Sequence, residues 1–229
     1  MSETLNLAEQ RRSIYNLGKD VKVSKQEVIN LVENAVKYCP TAFNSQSARV
    51  VILFDEEYQK FWDMVENKLK SISDSKDFSK IKNKTDGFRQ GVGTILFFED
   101  DDVIKDLQNK YPLYKDNFEV WANQANGMLQ YMVWTALSEN NIGASLQHYN
   151  PLIDGEVLQT WNLPNNWSLI AQMPFGSIVK PADEKRLNLL KSELRFWGSF
   201  IWFCFAFFSF LATMKIIKEL VFNFHVLVK

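Results

Sequence analysis

The stretch from Phe118 to Asn140 constrains this chain more than any other, because its apolar residues recur on more than one side of a helix. Val120, Trp121, Met128, Leu129, Met132, Val133, Trp134 and Leu137 go most of the way round the helical circumference. A helix of that kind belongs at the centre of a core or against a second subunit. Asn141-Ile142-Gly143 supplies its natural end. Gly127 costs the helix interior about 1 kcal/mol relative to alanine, which close helix contact can offset. The expectation is a homodimer with an apolar interface of the obligate kind, roughly 2,000 Å² or more.

The other periodic segments fall around this helix. Leu5, Leu7 and Ala8 predict a short first helix that runs into Arg11-Arg12-Ser13. Ser24 with Glu27 three residues on is a capping box, and Val28, Leu31, Val32, Ala35 and Val36 give the helix it opens a clean apolar face. Pro40 ends that helix near Cys39. Arg49 to Phe54 predicts a strand, and Phe61, Trp62, Val65 and Leu69 a third helix. Residues 71–86, rich in Ser, Lys and Asp, are expected to form a mobile surface loop. Thr94 to Phe98 predicts a buried strand, Ala144 to Leu146 a short one, Ile153 to Trp161 a helix and Trp167 to Met173 a last strand. Few strands interspersed with helices predict a sheet sandwiched by helices.

Composition excludes several function classes. The net charge is −1, which leaves no nucleic-acid footprint. Two cysteines cannot build a disulfide framework, and residues 1–12 have no apolar core for a secretory signal, so a cytoplasmic location is expected. There is no P-loop, no metalloprotease helix motif, and Gly91-Val92-Gly93 falls short of a dinucleotide fingerprint. The acids Glu99 to Asp102 suit a helix start better than a metal, since consecutive side chains cannot all face one ion. No metal site is expected. Cys39 and His148 are formally a thiol and a base, but nothing links them, and a cysteine at a helix end is usually a small buried hydrophobe.

Three segments are polar where a plain loop need not be. Arg11-Arg12-Ser13 presents two guanidinium forks and a hydroxyl at a helix end, which suits a phosphate. Phe43-Asn44-Ser45-Gln46 places three hydrogen-bonding side chains between a helix stop and a buried strand, and Gln147-His148-Tyr149-Asn150-Pro151 follows another strand. Taken singly, each is also explained as a solvated arginine pair or an amide-rich turn.

Together, the stretch Arg11 to Lys19, the loop Pro40 to Ser47, the strand Gly93 to Asp100, Gly143 to Pro151 and the ending Pro174-Phe175-Gly176 resemble the nitroreductase family. More narrowly they resemble its subgroup related to fatty-acid-repression-mutant proteins and copper-induced bacterial nitroreductases. The resemblance covers about residues 8–185. It implies an α+β fold with a central, mostly antiparallel sheet flanked by helices, in an intertwined homodimer with two FMN molecules at the interface. By that likeness Arg11, Arg12 and Ser13 hold the phosphate and ribityl chain, and Tyr15 is a further cofactor-binding residue. Asn44, Ser45 and Gln46 bond the ring or ribityl hydroxyls, Gln147, His148, Tyr149 and Asn150 line the ring from the other side, and Lys185 and Arg186 are candidates for a last phosphate contact. The implied activity is a ping-pong transfer of hydride from NADH or NADPH through the flavin to a quinone or nitroaromatic acceptor. The flavin carries the hard chemistry, so no side chain is assigned a catalytic role. His148 is expected to be buried and hydrogen-bonded. The alternative implied by the same likeness is a flavin-binding regulator, or a stress or lipid-signalling sensor, with little turnover.

The tail departs from the family. Residues 1–185 are read as the FMN-binding domain and 186–229 as an atypical apolar tail. Phe196 to Met214 is nineteen residues without a charge, and nine of the eighteen phenylalanines lie beyond residue 195. Three readings stay open: a C-terminal membrane anchor, a dimer-wrapping arm, or a frameshifted or read-through ending, since Phe, Leu, Ile, Lys and Asn are what AT-rich DNA yields in an arbitrary frame.

Overall fold

Strand alternation builds two cores here. In the computed structural model, which describes residues 2–185, β1 (Leu17–Gly18), β2 (Ala48–Phe54), β3 (Gly93–Asp100), β4 (Ile142–Ala144) and β5 (Trp167–Ile178) form one antiparallel sheet. Its order is β1-β5-β3-β2, with β4 also paired to β5. Successive side chains point to opposite faces. Ile95 and Phe97 of β3 and Ala171, Met173 and Phe175 of β5 therefore enter one core, beneath α2 (Lys25–Tyr38) and α6 (Phe118–Glu139). Leu96, Phe98 and Leu53 enter the other, beneath α3 (Asp55–Ile72), α4 (Ser75–Arg89) and α7 (Asp154–Thr160). A register shift opposite Phe97 and Phe98 brings Leu169 to the same face. The α+β fold with an antiparallel sheet between helices is the one expected.

Local signals explain most boundaries. Ser24 and Glu27 form the full capping box of α2, which stops at Cys39. Val28, Val32 and Ala35 are buried, whereas Val36 lies on the exposed side, so the apolar face is narrower than its periodicity suggests. The acids after Phe98 start a helix: Asp100 caps α5 (Asp101–Lys110) by accepting from the Asp102 amide. The short strand near Ala144 runs two residues earlier than expected, and Ser145 and Leu146 lie beyond it.

One expectation is overturned. Residues 71–86 are not a loop, because the end of α3 and the helix α4 occupy them. Phe78, Ile81, Thr85 and Phe88 form a thin stripe at helical spacing within the charged sequence, and Thr85 and Phe88 are fully buried. Arg89 pairs with Asp63 and Glu66, and Lys82 with Glu66, which fastens α4 to α3.

These elements belong to one compact unit, Met1–Asp183. Among the described residues no helix is long and apolar enough to cross a membrane. The apolar stretch 196–214 and Arg186 lie outside the described residues, and Lys185 is exposed.

Candidate flavin site

Helix α1 (Glu3–Gln10) ends at Arg11 and packs against α6. The extended chain beyond it meets the end of β4: Ser13 bridges Ala144, and the Ile14 amide donates to the Ala144 carbonyl at 2.9 Å. Gly143 permits this approach, since a Cβ there would stand 2.9 Å from Ile14 Cγ2 and 3.0 Å from Ile178 Cγ1. Arg11 lays its guanidinium 4.2 Å from the centre of the Trp134 ring, and its buried Nε has no hydrogen-bond partner. Trp134 is itself fixed by donating Nε1–H to the Ala144 carbonyl at 3.2 Å. Arg12 donates from Nη2 to the Asp183 carbonyl at 2.5 Å. A stacked guanidinium with a spare donor is preorganised for an anion such as a phosphate group.

The second segment is a strained turn. Phe43, Asn44 and Gln46 have φ of 55°, 53° and 48°, left-handed values that non-glycine residues seldom adopt. Each costs of order 1 kcal/mol and persists only where its surroundings over-determine it. Here the Asn44 amide donates to the Thr41 carbonyl at 3.1 Å, the Gln46 amide to Thr41 Oγ1 at 3.2 Å, and Arg49 Nη1 to the Gln46 carbonyl at 2.8 Å. Arg49 in turn pairs with Asp100 at 2.9 Å. Phe43 stacks on Trp121 with ring centres 5.8 Å apart and also touches Tyr111, Tyr114 and Phe118. Asn44 and Gln46 are exposed and joined to each other, Gln46 Nε2 donating to Asn44 Oδ1 at 3.0 Å. Each therefore keeps unused amide capacity facing outward, with Ser45 half-buried between them.

The third segment is largely occupied with holding itself to the sheet. Gln147 exchanges backbone bonds with Gln172 at 2.7 and 2.9 Å, and its buried side chain donates to Ser145 Oγ at 3.0 Å. The Gln172 side chain accepts from the Tyr149 amide at 2.8 Å and donates to Asn150 Oδ1 at 3.2 Å. Tyr149 packs edge-on against Trp62, on the α3 side of the sheet, where burial pushes its phenol up to about 12. Tyr15 likewise turns to the α4 side, beside Phe88. His148 is exposed and makes no hydrogen bond among the described residues, contrary to the buried partner expected for it. Its neighbours alternate inward and outward along an extended segment, and His148 falls on the outward phase.

Several positioning residues are not visible in the sequence. Trp134 reads there as one more apolar residue of α6, Gln172 as a strand residue, and Glu99 as one of an acidic run. A buried polar residue amid an apolar strand is the signal that could have found Gln172 and Glu99.

A nitroreductase family model matches residues 8–177. The chain belongs to the nitroreductase family. Among curated relatives, the nitroreductase FRM2 of Saccharomyces cerevisiae is 31% identical over 184 residues, covering 79% of this chain and 91% of its own length. The nitroreductase CinD from Lactococcus lactis, in complex with nicotinic acid, is 44% identical with a TM-score of 0.80 over 86% of this chain and all of that one. The same protein in complex with 4-nitrophenol gives 0.78 at the same identity and coverage. A nitroreductase with bound FMN from Desulfitobacterium hafniense shares the fold, at a TM-score of 0.65 and 16% identity over 86% of this chain and all of that one.

Proposed function

We propose that this nitroreductase is an FMN-dependent oxidoreductase that takes hydride from NADH or NADPH and passes it to nitroaromatic compounds or quinones. The observation that carries this reading is the Arg11 guanidinium, stacked on Trp134 with a buried Nε–H that has no partner. A donor without a partner costs about 1–3 kcal/mol, and a bound phosphate oxygen removes that cost. Arg12 and Ser13 stand beside it for the phosphate and ribityl chain, and the outward amides of Asn44 and Gln46 suit the polar edge of a flat ring. Bound FMN supplies the hydride-transferring ring. The residues of this chain bind and orient it, and none need act as a nucleophile. CinD, 44% identical, has solved structures in complex with nicotinic acid and with 4-nitrophenol, flat aromatic molecules that bracket the proposed donor and acceptor.

The proposed working unit is a homodimer with shared sites. Helix α6 turns Val120, Gln124, Gly127, Met128 and Tyr131 to solvent, with Val120 53% and Met128 43% exposed. A Cβ at Gly127 would meet nothing within 4 Å. Phe43 contacts α6 at Trp121 and Arg11 contacts it at Trp134, positions about 20 Å apart along the axis. Their midpoint is the Gly127–Met128 step. A two-fold axis there, with the two α6 helices antiparallel, brings Asn44–Gln46 of one subunit towards Arg11 of the partner subunit. Each flavin site then takes its phosphate end from one chain and its loop amides from the other. Lys185 and Arg186 remain proposed as a further phosphate contact, and the cytoplasm as the compartment.

Rapid mixing of the FMN-loaded protein with NADH or NADPH tests the enzyme reading. Bleaching of the flavin within the mixing experiment, and its reoxidation by a quinone or nitroarene, is the expected result. Flavin that stays oxidised for minutes favours the sensor alternative.

A further inference from the structure

Arg49 is out of place in its strand. The phase of β2 that carries Val51 and Leu53 faces the α3 and α7 side, and Arg49 shares it, in register with the fully buried Phe98. A guanidinium there needs acceptors, since it has five donors and cannot shed its charge. Nη1 donates to the Gln46 carbonyl at 2.8 Å and to the Ala48 carbonyl at 3.0 Å, and Nη2 to Asp100 Oδ2 at 2.9 Å. Asp100 is a junction in turn. Its Oδ1 accepts from Asn166 Nδ2 at 2.7 Å and from the Asp102 amide at 3.2 Å, where it caps α5. Its own amide donates to the Ser47 carbonyl at 3.0 Å.

The carbonyls of Gln46 and Ser47 are thus both referred to Asp100, one through Arg49 and one directly. From the α6 side, Asn126 fixes the strand end on which Asp100 stands, donating to the Phe98 carbonyl at 3.1 Å and to Glu99 Oε1 at 2.7 Å. Helix α5 leads through Tyr111 into the short helix Pro112–Asn117. The Tyr111 and Tyr114 rings there lie 4.9 and 5.7 Å from that of Phe43. The strained turn is therefore gripped at its Phe43 end and at its Gln46 end by structure that starts from one carboxylate.

We propose that Arg49 is a positioning residue for FMN: held by Asp100, its guanidinium fixes the Gln46 carbonyl, so that Phe43, Asn44 and Gln46 stay left-handed and the Asn44 and Gln46 amides stay aimed outward. The role in cofactor binding rests on the flavin reading, while the clamp itself does not. Three left-handed residues within four need such support. The planar fork reaches the carbonyl with one nitrogen and the carboxylate with the other, which a lysine ammonium on a flexible stem does not reproduce. A rival use of a cation here is to draw in an anionic cofactor by charge. The geometry disfavours it, because the pair is only 31% and 13% exposed at its two side chains and the carboxylate already offsets the charge.

The two uses differ in sign, so Arg49→Ala, Arg49→Lys and Asp100→Asn test the proposal against the native chain. FMN affinity is read by flavin fluorescence quenching, and amide exchange of the flavin-free chain compares Asn44, Ser45 and Gln46 with core amides of α3. Arg49→Ala should weaken FMN binding by about tenfold or more and strip protection from the turn while the core keeps its own. Arg49→Lys keeps the charge but should fall with Arg49→Ala on both readouts. Asp100→Asn keeps an acceptor for Asn166 and the Asp102 amide but turns donors towards Arg49, so it too should loosen the turn and weaken FMN binding. Attraction by charge alone predicts the reverse: Arg49→Lys binds as the native chain does, and Asp100→Asn binds more tightly. Either of those results overturns the proposal. So does a turn in Arg49→Ala as protected as the native one, or a loss of protection shared equally by the core, which would make Arg49 a general stabiliser. Should Arg49→Ala fail to fold, the other two variants decide. Chains with the expected exchange changes that bind no FMN, the native one included, support the clamp and refute the flavin assignment alone.

Discussion

The two faces of the sheet are finished to different degrees. On the α3, α4 and α7 side, Trp62, Phe61, Phe88, Leu96 and Phe98 have almost no exposure, Trp62 donates to Thr94 Oγ1 at 2.9 Å, and ion pairs close the seam between α3 and α4. On the α2 and α6 side, the sheet is covered just as well, but α6 then turns a second, apolar stripe outward. Arg11 and the Phe43–Gln46 turn are both attached to that helix. The first side is held by close ring packing and ion pairs within the single chain. The other carries three left-handed residues within four, the ring-stacked Arg11 with an unpartnered Nε and the outward apolar stripe of α6. That concentration suits a binding surface, although Arg89 Nε on the α4 side also lacks a partner.

The largest expected effect strikes the finished side. Trp62→Ala leaves a cavity among fully buried rings and should cost roughly 3–5 kcal/mol, read as a drop in thermal or denaturant midpoint. Flavin should be lost only as the protein unfolds. A native midpoint in that variant would show that the finished side contributes less than its packing implies.

Next comes the anion end of the unfinished side. Arg11→Ala or Arg12→Ala should remove a charge-assisted bond of about 1.5–3 kcal/mol, at least tenfold in FMN affinity, with little change in melting of the flavin-free protein. Replacing Asn44 should weaken binding less. Unchanged FMN retention in both arginine variants rejects the phosphate assignment.

The smallest effect has the most informative sign. In an isolated chain Gly127→Ala should stabilise α6 by about 1 kcal/mol, since nothing lies where the Cβ would go. If the α6 helices of two subunits cross at that point, the added methyl should instead weaken the dimer, seen as a melting point that falls and becomes more concentration-dependent.

Much of this contrast is legible in the sequence, for reasons that differ by residue. Ser24, Glu27 and Pro40 bound a helix by local chemistry alone, and the apolar run of α6 announces both of its faces. Helix α4 is hidden because Phe78, Ile81, Thr85 and Phe88 are too few among lysines and aspartates for periodicity to stand out. Strand β1, two residues long, exists only because β5 lies beside it. At the site, the Arg11-Arg12-Ser13 and Asn44–Gln46 motifs are visible as polar residues out of place. The stacking of Arg11 on Trp134, the left-handed turn and the outward His148 depend on tertiary contacts that no spacing encodes.

The shared site is the central claim, and mixing two defective chains tests it most directly. Arg11→Ala damages the phosphate end, and a chain with Asn44→Ala and Gln46→Ala damages the loop end. Neither alone should retain FMN at low concentration. If each site draws its two ends from different subunits, dimers reformed from an equal mixture should recover flavin at roughly a quarter of all sites, since half the dimers are mixed and each has one undamaged site. A mixture that binds no more FMN than the average of its two parents would place both ends in one chain and contradict the account.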